Sequence, residues 1–367
     1  MRKIITALFA VVLFAGLTIG MHSYQEKPAQ AMEKTEDQTA DAAGDAAEQN
    51  ATLETTETGI DMSMKLEPGS RVAVVSKKVN GDFWELIKKG MEQALSDVND
   101  AYGYEKDDKI TMTFEGASDE LDVETQINTL DAVISENPAV LCLSASDMDS
   151  CQAQMEAARE NGIPVAIFDS NVVNTDLVGA YRASDNRKIG QIAAEKMVEV
   201  LPDGGKIAVF GIQEKTQTAK DRVESFVETI SEYDGYEIVE VIYEDQVEDF
   251  KGAIQGTLEE NPDLSGVFCE NADSTSAYLE VTQKSENSLP IMIGVDGTKQ
   301  QIEAIKEGKE YGSVSQNPYA IGYQTMLAAL AMASETECNV EQTVLLEPKW
   351  LDAGNVENPD SAAYIYN

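Results

Sequence analysis

The sequence predicts an α/β protein with two doubly wound parallel-sheet lobes. With 367 residues, the chain exceeds the usual size of a single hydrophobic core. Short apolar runs alternate with longer segments that are apolar at helical spacing, a pattern typical of buried parallel strands and their crossover helices. The same order of runs occurs twice along the chain, so we expect two copies of one unit.

The two copies open in the same way. A strand at residues 72–75 is followed by a helix at residues 83–95, and a strand at residues 207–210 is followed by a helix at residues 222–230. An apolar strand followed by an amphipathic helix is the beginning of a βαβ unit. Right-handed crossovers then place helices on both faces of each sheet.

The two copies also continue in the same way. Residues 136–142 and residues 260–269 both run from Glu-Asn-Pro into an apolar strand. The next strands both begin with proline and end at an aspartate, Asp169 in the first copy and Asp296 in the second, and equivalent positions lie 124 to 135 residues apart. Open parallel sheets bind ligands at the carboxyl ends of their strands, so the two aspartates predict a site in a cleft between the lobes.

The end of the chain completes this topology. Residues 311–315 are predicted to form a strand, residues 319–332 a helix and residues 343–346 a further strand. Trp350 and residues 364–366 are expected to pack on a lobe.

The first 70 residues differ in composition from the predicted lobes. Residues 1–31 are predicted to be an export signal, because two basic residues precede an apolar run at residues 4–19. The sequence favours cleavage of this segment, and retention of residues 4–21 as a membrane anchor is the alternative, since that stretch is just long enough to span a bilayer. Residues 32–70 are rich in Ala, Thr, Asp and Glu, and we expect them to form an acidic disordered tether.

The composition excludes several classes of function. A formal net charge of −39 argues against binding to nucleic acid or to anionic membranes. The single histidine, His22, lies in the export segment, so His-based catalytic triads and the usual zinc sites are not expected. The four cysteines lack a Cys-x-x-Cys spacing, and Cys142 and Cys269 lie in apolar strands, so no disulfide framework is expected. No motif for a cofactor or a metal is found, and we expect a monomer.

Several short motifs occur in a colinear order along residues 71–351. They are Asn80-Gly81-Asp82-Phe83-Trp84, Phe168-Asp169, Ala183-Ser184-Asp185-Asn186, residues 218–226, residues 268–273, Gly294-Val295-Asp296-Gly297 and Ser315-Gln316-Asn317-Pro318. Together they resemble the sugar-binding members of the type 1 periplasmic-binding-protein family, in particular the ribose- and galactose-binding receptors of ABC importers. The resemblance implies a multi-strand hinge between the lobes. It also implies an N-terminal lobe of residues 71–182 plus 317–346 and a C-terminal lobe of residues 183–316 plus 347–367.

The resemblance implies a set of ligand-binding residues. They are Asn80, Phe83, Trp84, Ser144, Asp169, Arg222, Asn271, Asp296 and Gln316. Carboxylates would accept hydrogen bonds from sugar hydroxyls, the guanidinium would donate, the amides can do both, and the aromatic rings would cover the apolar faces of the sugar. Because Asp169, Asp296 and Arg222 leave this set net negative, an uncharged sugar is expected. Ser170 stands where ribose-type receptors have an arginine, which points to a larger or differently oriented ligand than ribose.

The function implied is that of an extracytoplasmic solute-binding protein, which closes over a neutral monosaccharide and delivers it to an ABC permease. The alternative is a tethered sugar-sensing receptor subunit for a membrane sensor kinase or chemoreceptor. The acidic tether, and the absence of a cysteine that could carry a lipid before Cys142, favour this alternative. A third interpretation is a glycosidase that uses Asp169 and Asp296 as paired carboxylates. The resemblance argues against it, because it implies a family without catalytic activity. An intracellular sugar-responsive repressor is opposed by the export segment.

Overall fold

The structure is a computed structural model that describes residue 60 and residues 63–285 and 288–366. The predicted export signal, residues 1–31, and most of the predicted tether, residues 32–70, lie outside the described residues. Within the described residues, no helix combines the length and the apolar character that a bilayer crossing requires. The four cysteines are all free, and Cys142 and Cys269 are buried in their strands.

The described end of the predicted tether is folded. Met64 and Leu66 are each 5% exposed and belong to the core of the N-terminal lobe. The hydroxyl of Tyr102 donates a hydrogen bond to the carbonyl oxygen of Met64 at 2.8 Å. The hydroxyl of Tyr104 likewise donates to the carbonyl oxygen of Leu66 at 2.8 Å. The prediction of disorder is therefore wrong for this stretch, because two apolar side chains at alternate positions attach it to the lobe.

The first half of the described chain alternates strands and helices. In order, these elements are β1 (Arg71–Lys78), α1 (Asp82–Tyr102), β2 (Thr111–Ala117), α2 (Val123–Ser135), β3 (Val140–Leu143), α3 (Gln152–Glu160), β4 (Val165–Phe168) and β5 (Ala180–Ser184). The second half repeats the alternation with α4 (Asn186–Val200), β6 (Gly205–Gly211), α5 (Gln217–Ser231), β7 (Tyr236–Tyr243), α6 (Phe250–Glu260), β8 (Leu264–Cys269), α7 (Ala272–Thr282), β9 (Ile291–Val295), α8 (Lys299–Lys306) and β10 (Gly312–Ser315). The chain ends with α9 (Pro318–Met332), β11 (Thr343–Leu346) and β12 (Lys349–Asp352).

These strands form two six-stranded sheets, and each sheet is the centre of one lobe. The N-terminal lobe has the strand order β11-β5-β4-β3-β1-β2, and all of its strand pairs are parallel. The C-terminal lobe has the order β12-β10-β9-β8-β6-β7, in which only β12 is antiparallel to its neighbour. The predicted fold class, two doubly wound parallel-sheet lobes, is confirmed.

The chain passes between the two sheets three times, after β5, after β10 and after β11. The first passage lies two residues later than the boundary that the sequence predicts after residue 182. Ala183 and Ser184 still pair with Leu345 and Leu346 of β11, so they belong to the sheet of the N-terminal lobe.

Glycines allow one close helix pair in each lobe. A Cβ atom at Gly322 of α9 would lie 2.0 Å from the carbonyl oxygen of Ile87 in α1. In the other lobe, a Cβ atom at Gly190 of α4 would lie 2.1 Å from the carbonyl oxygen of Arg222 in α5. Each glycine lies five residues after the N-cap of its helix, Gly322 after Asn317 and Gly190 after Asp185. Both helices directly follow a passage of the chain between the sheets. The packing of α5 on α4 sets the position of Arg222.

Candidate functional site

A cavity of about 310 Å³ lies at the carboxyl ends of the strands, with residues of both lobes in its wall. Eight of the nine predicted ligand-binding residues line it: Asn80, Phe83, Trp84, Asp169, Arg222, Asn271, Asp296 and Gln316. Ser144 is not part of the wall. Its hydroxyl donates to Oδ2 of Asp169 at 3.0 Å, so it supports the carboxylate.

Asp169 and Asp296 share an unusual backbone conformation. Each directly follows its strand, β4 or β9, and has a positive φ, 58° at Asp169 and 87° at Asp296. Positive φ values cost a side-chain-bearing residue of the order of 1–3 kcal/mol, and such strain is found mainly at functional sites. The two copies of the unit thus share an aspartate with positive φ at the end of the equivalent strand, and both aspartates line the cavity.

The carboxylate of Asp296 is held by three donors. The Nε2 of Gln316 and the hydroxyl of Tyr366 donate to its Oδ1 at 2.7 and 3.0 Å, and the backbone N–H of Ala272 donates to its Oδ2 at 2.9 Å. Burial and the charge of Asp296 raise the pKa of Tyr366 well above its usual value, so the hydroxyl keeps its proton. The sequence predicts that the chain terminus packs on a lobe, but it carries no signal for this contact with the site.

Arg222 is buried, with 4% of its surface exposed, and is not the surface residue that an acidic helix would suggest. Its Nε donates to Oδ1 of Asn186 at 2.8 Å, and its Nη1 donates to the carbonyl oxygen of Glu270 at 3.0 Å. The Glu270 carboxylate lies 3.6 Å from the same Nη1. Asn186 and Glu270 therefore fix the plane of the guanidinium from two sides.

Glu270 is a residue of the cavity wall that the sequence does not single out. It directly follows β8 and is 2% exposed, and the backbone N–H of Ile212 donates to its carboxylate at 3.1 Å. Burial raises the pKa of its carboxyl to about 7, although the charge of Arg222 acts in the opposite direction. Its proximity to Arg222 is a long-range feature that no local motif marks.

The aromatic residues Phe83 and Trp84 lie at the start of α1, and both line the cavity. Their rings pack edge to face with centroids 5.1 Å apart. Trp84 is 4% exposed, and its Nε1 donates to Oε1 of Glu120 at 3.0 Å. Phe83 is half-buried, and the centroid of its ring lies 5.9 Å from that of the Tyr366 ring. Together they supply an apolar wall on the N-terminal lobe.

The amides of the cavity wall differ in how much hydrogen-bonding capacity they retain. Asn271 is the N-cap of α7, and its Oδ1 accepts from the backbone N–H of Ser274 at 2.9 Å, which leaves Nδ2 to donate. Asn80 is exposed, and its Nδ2 lies 3.4 Å from the carbonyl oxygen of Ser118. The Oε1 atoms of Gln316 and Gln213 are buried, and neither accepts a hydrogen bond from any part of the chain that the structure describes.

Three lysine and arginine side chains contribute cations to the cavity wall, and each is paired with a carboxylate there. Besides Arg222 and Glu270, Lys77 contacts Asp169 with an Nζ–Oδ2 distance of 2.9 Å, and Lys78 contacts Asp273 at 3.0 Å. The sequence-based interpretation missed both lysines, because two adjacent lysines at the end of a strand are typical of a solvated edge.

Two α/β lobes that enclose a polar cavity at their strand ends define a two-lobed small-molecule-binding protein. The model of the family described as "Periplasmic binding protein domain" matches residues 72–337, and the chain belongs to this family. The resemblance predicted from the motifs is thereby confirmed. Membership implies a periplasmic or otherwise extracytoplasmic location.

Three relatives show how far the similarity extends. The ribose import binding protein of Salmonella typhimurium is 23% identical over 256 residues, which are 68% of this chain and 80% of the relative. The D-apiose import binding protein of Actinobacillus succinogenes is 24% identical over 67% of this chain and 76% of the relative. The crystal structure of an ABC transporter solute-binding protein from Agrobacterium vitis with bound D-fucose superimposes with a TM-score of 0.73 at 25% identity, over 81% of this chain and all of the other.

Proposed function

We propose that this protein is an extracytoplasmic solute-binding protein that closes over a neutral monosaccharide and delivers it to an ABC permease. The observation that carries the proposal is the cavity at the strand ends of both lobes, where the polar side chains of Arg222 and Asp296 and the aromatic rings at the start of α1 line the same space. A sugar matches such a wall, because its hydroxyls both donate and accept hydrogen bonds and its ring has apolar faces.

The charges of the cavity favour a neutral ligand. Six carboxylates line it against three cations, and every cation has a carboxylate partner. The carboxylates are Asp82, Glu120, Asp169, Glu270, Asp273 and Asp296. An anionic ligand would therefore meet excess negative charge in a partly dehydrated site, where repulsion is weakly screened.

The size of the cavity and the relatives support a monosaccharide and an import role. A volume of about 310 Å³ is at the lower end of the range for small-molecule pockets. The relatives from Salmonella typhimurium and Actinobacillus succinogenes are named as import binding proteins for ribose and D-apiose, and the structure from Agrobacterium vitis holds D-fucose. All three sugars are neutral. The proposal includes an exported monomer, released or tethered at the cell surface, that binds its sugar without chemical change.

A thermal-shift screen of neutral pentoses and hexoses tests the proposal. A ligand at 100 times its Kd stabilises the folded state by about 2.7 kcal/mol, so at least one neutral sugar should raise the unfolding midpoint by several degrees. Sugar acids and sugar phosphates serve as charged controls and should leave it unchanged. The Arg222→Ala variant should lose the shift. A panel without any shift, or a larger shift with the charged sugars, would contradict the proposal.

A further inference from the structure

Lys77 stands at an irregularity of β1. Ser76 pairs with Gly116 of β2 and Lys78 pairs with the next residue, Ala117, so Lys77 is an extra residue in its strand. The hydroxyl of Ser76 donates to the carbonyl oxygen of Lys78 at 2.7 Å across this bulge. A β-bulge changes the direction of a side chain and is common beside functional sites. Here it accompanies a lysine side chain that lines the cavity.

The ammonium group of Lys77 is enclosed. Lys77 is 4% exposed, and its Nζ lies 2.9 Å from Oδ2 of Asp169, 3.5 Å from Oγ1 of Thr218 on the C-terminal lobe and 5.6 Å from the centroid of the Trp84 ring. Burial lowers the pKa of Lys77, but the charges of Asp169 and Glu120 and the hydrogen bond with Asp169 outweigh it, so the pKa is raised and the group stays charged.

The hydrogen-bonding capacity that remains around Lys77 has a specific pattern. An ammonium group has three N–H donors and no acceptor. One donor is used by Asp169 and a second reaches Thr218 at the limit of hydrogen-bond length, which leaves donor capacity for a ligand. Lys77 and Ser144 both donate to Oδ2 of Asp169. A hydroxyl group of a ligand can accept from Lys77 and donate to the other carboxylate oxygen, Oδ1, at the same time.

We propose that Lys77 is a selectivity residue of the site: its ammonium group and Oδ1 of Asp169 together require a hydroxyl at one position of the bound sugar. A deoxy sugar that lacks this hydroxyl leaves one N–H donor of the buried Lys77 ammonium group without an acceptor, and is therefore rejected. This assignment rests on the proposed function and narrows its substrate class to sugars that are hydroxylated at that position.

Pairs of sugars that differ by one hydroxyl test the assignment on the full chain. D-Ribose with 2-deoxy-D-ribose, D-glucose with 2-deoxy-D-glucose and D-galactose with D-fucose provide such pairs, and calorimetry gives the ratio of their dissociation constants. In the wild-type protein, the dissociation constant of one deoxy sugar should exceed that of its parent sugar by about 10- to 100-fold. This factor corresponds to the loss of one hydrogen bond to a charged group. In Lys77→Met that ratio should fall towards one, because the donor is removed while the length of the side chain is kept.

Lys78→Met is the matched control. Lys78 is the next residue along the chain, and its Nζ pairs with Asp273 of the other lobe, with 21% of its side chain exposed. This variant should weaken the parent and the deoxy sugar by the same factor, because it acts on the contact between the lobes. Should Lys77→Met fail to fold, the double variant Lys77→Met with Asp169→Asn takes its place, since it also removes the buried carboxylate that would otherwise lose its cation.

The possible outcomes distinguish the role of Lys77 from the proposed function of the whole protein. A ratio that collapses in the Lys77 variant and persists in the Lys78 variant supports it. A wild-type protein that binds sugars without rejecting any deoxy form, or a Lys77 variant that keeps the full ratio, overturns the role of Lys77 while the proposed function stands. A wild-type protein that binds no sugar in any pair overturns the proposed function itself.

Discussion

At the residue scale, Asp169 and Asp296 occupy equivalent places in the two lobes, yet their partners differ. Asp169 is paired with the cation of Lys77 and the hydroxyl of Ser144, whereas Asp296 is held by uncharged donors alone. Both aspartates directly follow their strand and have a positive φ. The duplicated units therefore share the position of the aspartate and differ in the electrostatics around it.

The titration of Glu270 gives a prediction for stability. Its pKa is raised by burial from 4.5 to about 7, so between these pH values the folded protein binds more protons than the unfolded chain. The free energy of unfolding should therefore fall as the pH rises from 4.5 to 7, by up to about 3 kcal/mol from this group. In Glu270→Gln, this contribution to the decrease in unfolding free energy should be absent. Urea unfolding of both proteins at several pH values measures the difference.

Other buried carboxyls also contribute to the pH profile of the wild-type protein, since burial raises the pKa values of Glu120 and Glu310 as well. The difference between the wild type and Glu270→Gln removes their contributions, because both proteins contain them. Parallel profiles for the two proteins would show that Glu270 titrates as it does in the unfolded chain.

At the scale of elements, the packing of α4 on α5 links a helix interface to the site. Gly190→Ala places a Cβ atom 2.1 Å from the carbonyl oxygen of Arg222, and this contact involves backbone that cannot rotate away. We expect the helices to separate, with a loss of about 1–3 kcal/mol of unfolding free energy. Sugar binding should also weaken, because Arg222 moves with α5. Urea unfolding and calorimetry measure the two effects.

Gly256→Ala is the matched control for this change. Gly256 lies within α6, and a Cβ atom there would meet nothing within 4 Å. Alanine is favoured over glycine in a helix by about 0.5–1 kcal/mol, so this variant should be more stable than the wild type and should bind sugar equally well. Equal effects of the two substitutions would show that helix propensity, and not the close packing of α4 on α5, governs the result.

At the scale of the whole molecule, the lobes contact each other directly as well as through the cavity. Lys78 of the N-terminal lobe pairs with Asp273 of the C-terminal lobe, and the backbone N–H of Met148 donates to the carbonyl oxygen of Lys215 at 3.1 Å. Leu121, which follows β2, packs against an apolar cluster of the C-terminal lobe. These contacts join the lobes without involving a ligand, so under the proposed function they should contribute equally to the affinity for every sugar.

Removal of the ion pair between the lobes should accelerate sugar release. An exposed ion pair contributes up to about 1 kcal/mol, so Asp273→Asn should raise the dissociation rate by up to about fivefold at low salt. The difference from the wild type should shrink in 1 M NaCl, because exposed charges are screened there. Stopped-flow measurements of dissociation at the two salt concentrations provide the comparison.

Asp263→Asn provides the control for this ion pair. Asp263 pairs with Lys206 at 2.9 Å and is also largely exposed, but both residues belong to the C-terminal lobe. Its removal should leave the dissociation rate of the sugar unchanged. A rate change in this variant equal to that of Asp273→Asn would assign the effect to the loss of surface charge and not to the contact between the lobes.

The duplicated α/β architecture and most of the cavity wall could be predicted from the amino-acid sequence. The strands are short apolar runs, and the ligand-facing residues directly follow them, as Asp169 follows β4 and Asp296 follows β9. Side chains at the carboxyl ends of parallel strands meet at one edge of a sheet, so a local pattern was sufficient to bring these residues together. The boundaries of the strands and helices shifted by a few residues without moving them from the cavity.

The pairing of the charges and the contacts that support the site could not be predicted without the folded structure. The bulge that accompanies Lys77, the approach of Glu270 to Arg222 and the contact of Tyr366 with Asp296 join residues that are distant in the chain or irregular in their strand. Hydrophobic periodicity describes which face of an element is buried, and it contains no information about the direction of a side chain at a bulge or about a partner 70 residues away. These contacts depend on the packing of complete lobes, which is where the selectivity of the cavity arises.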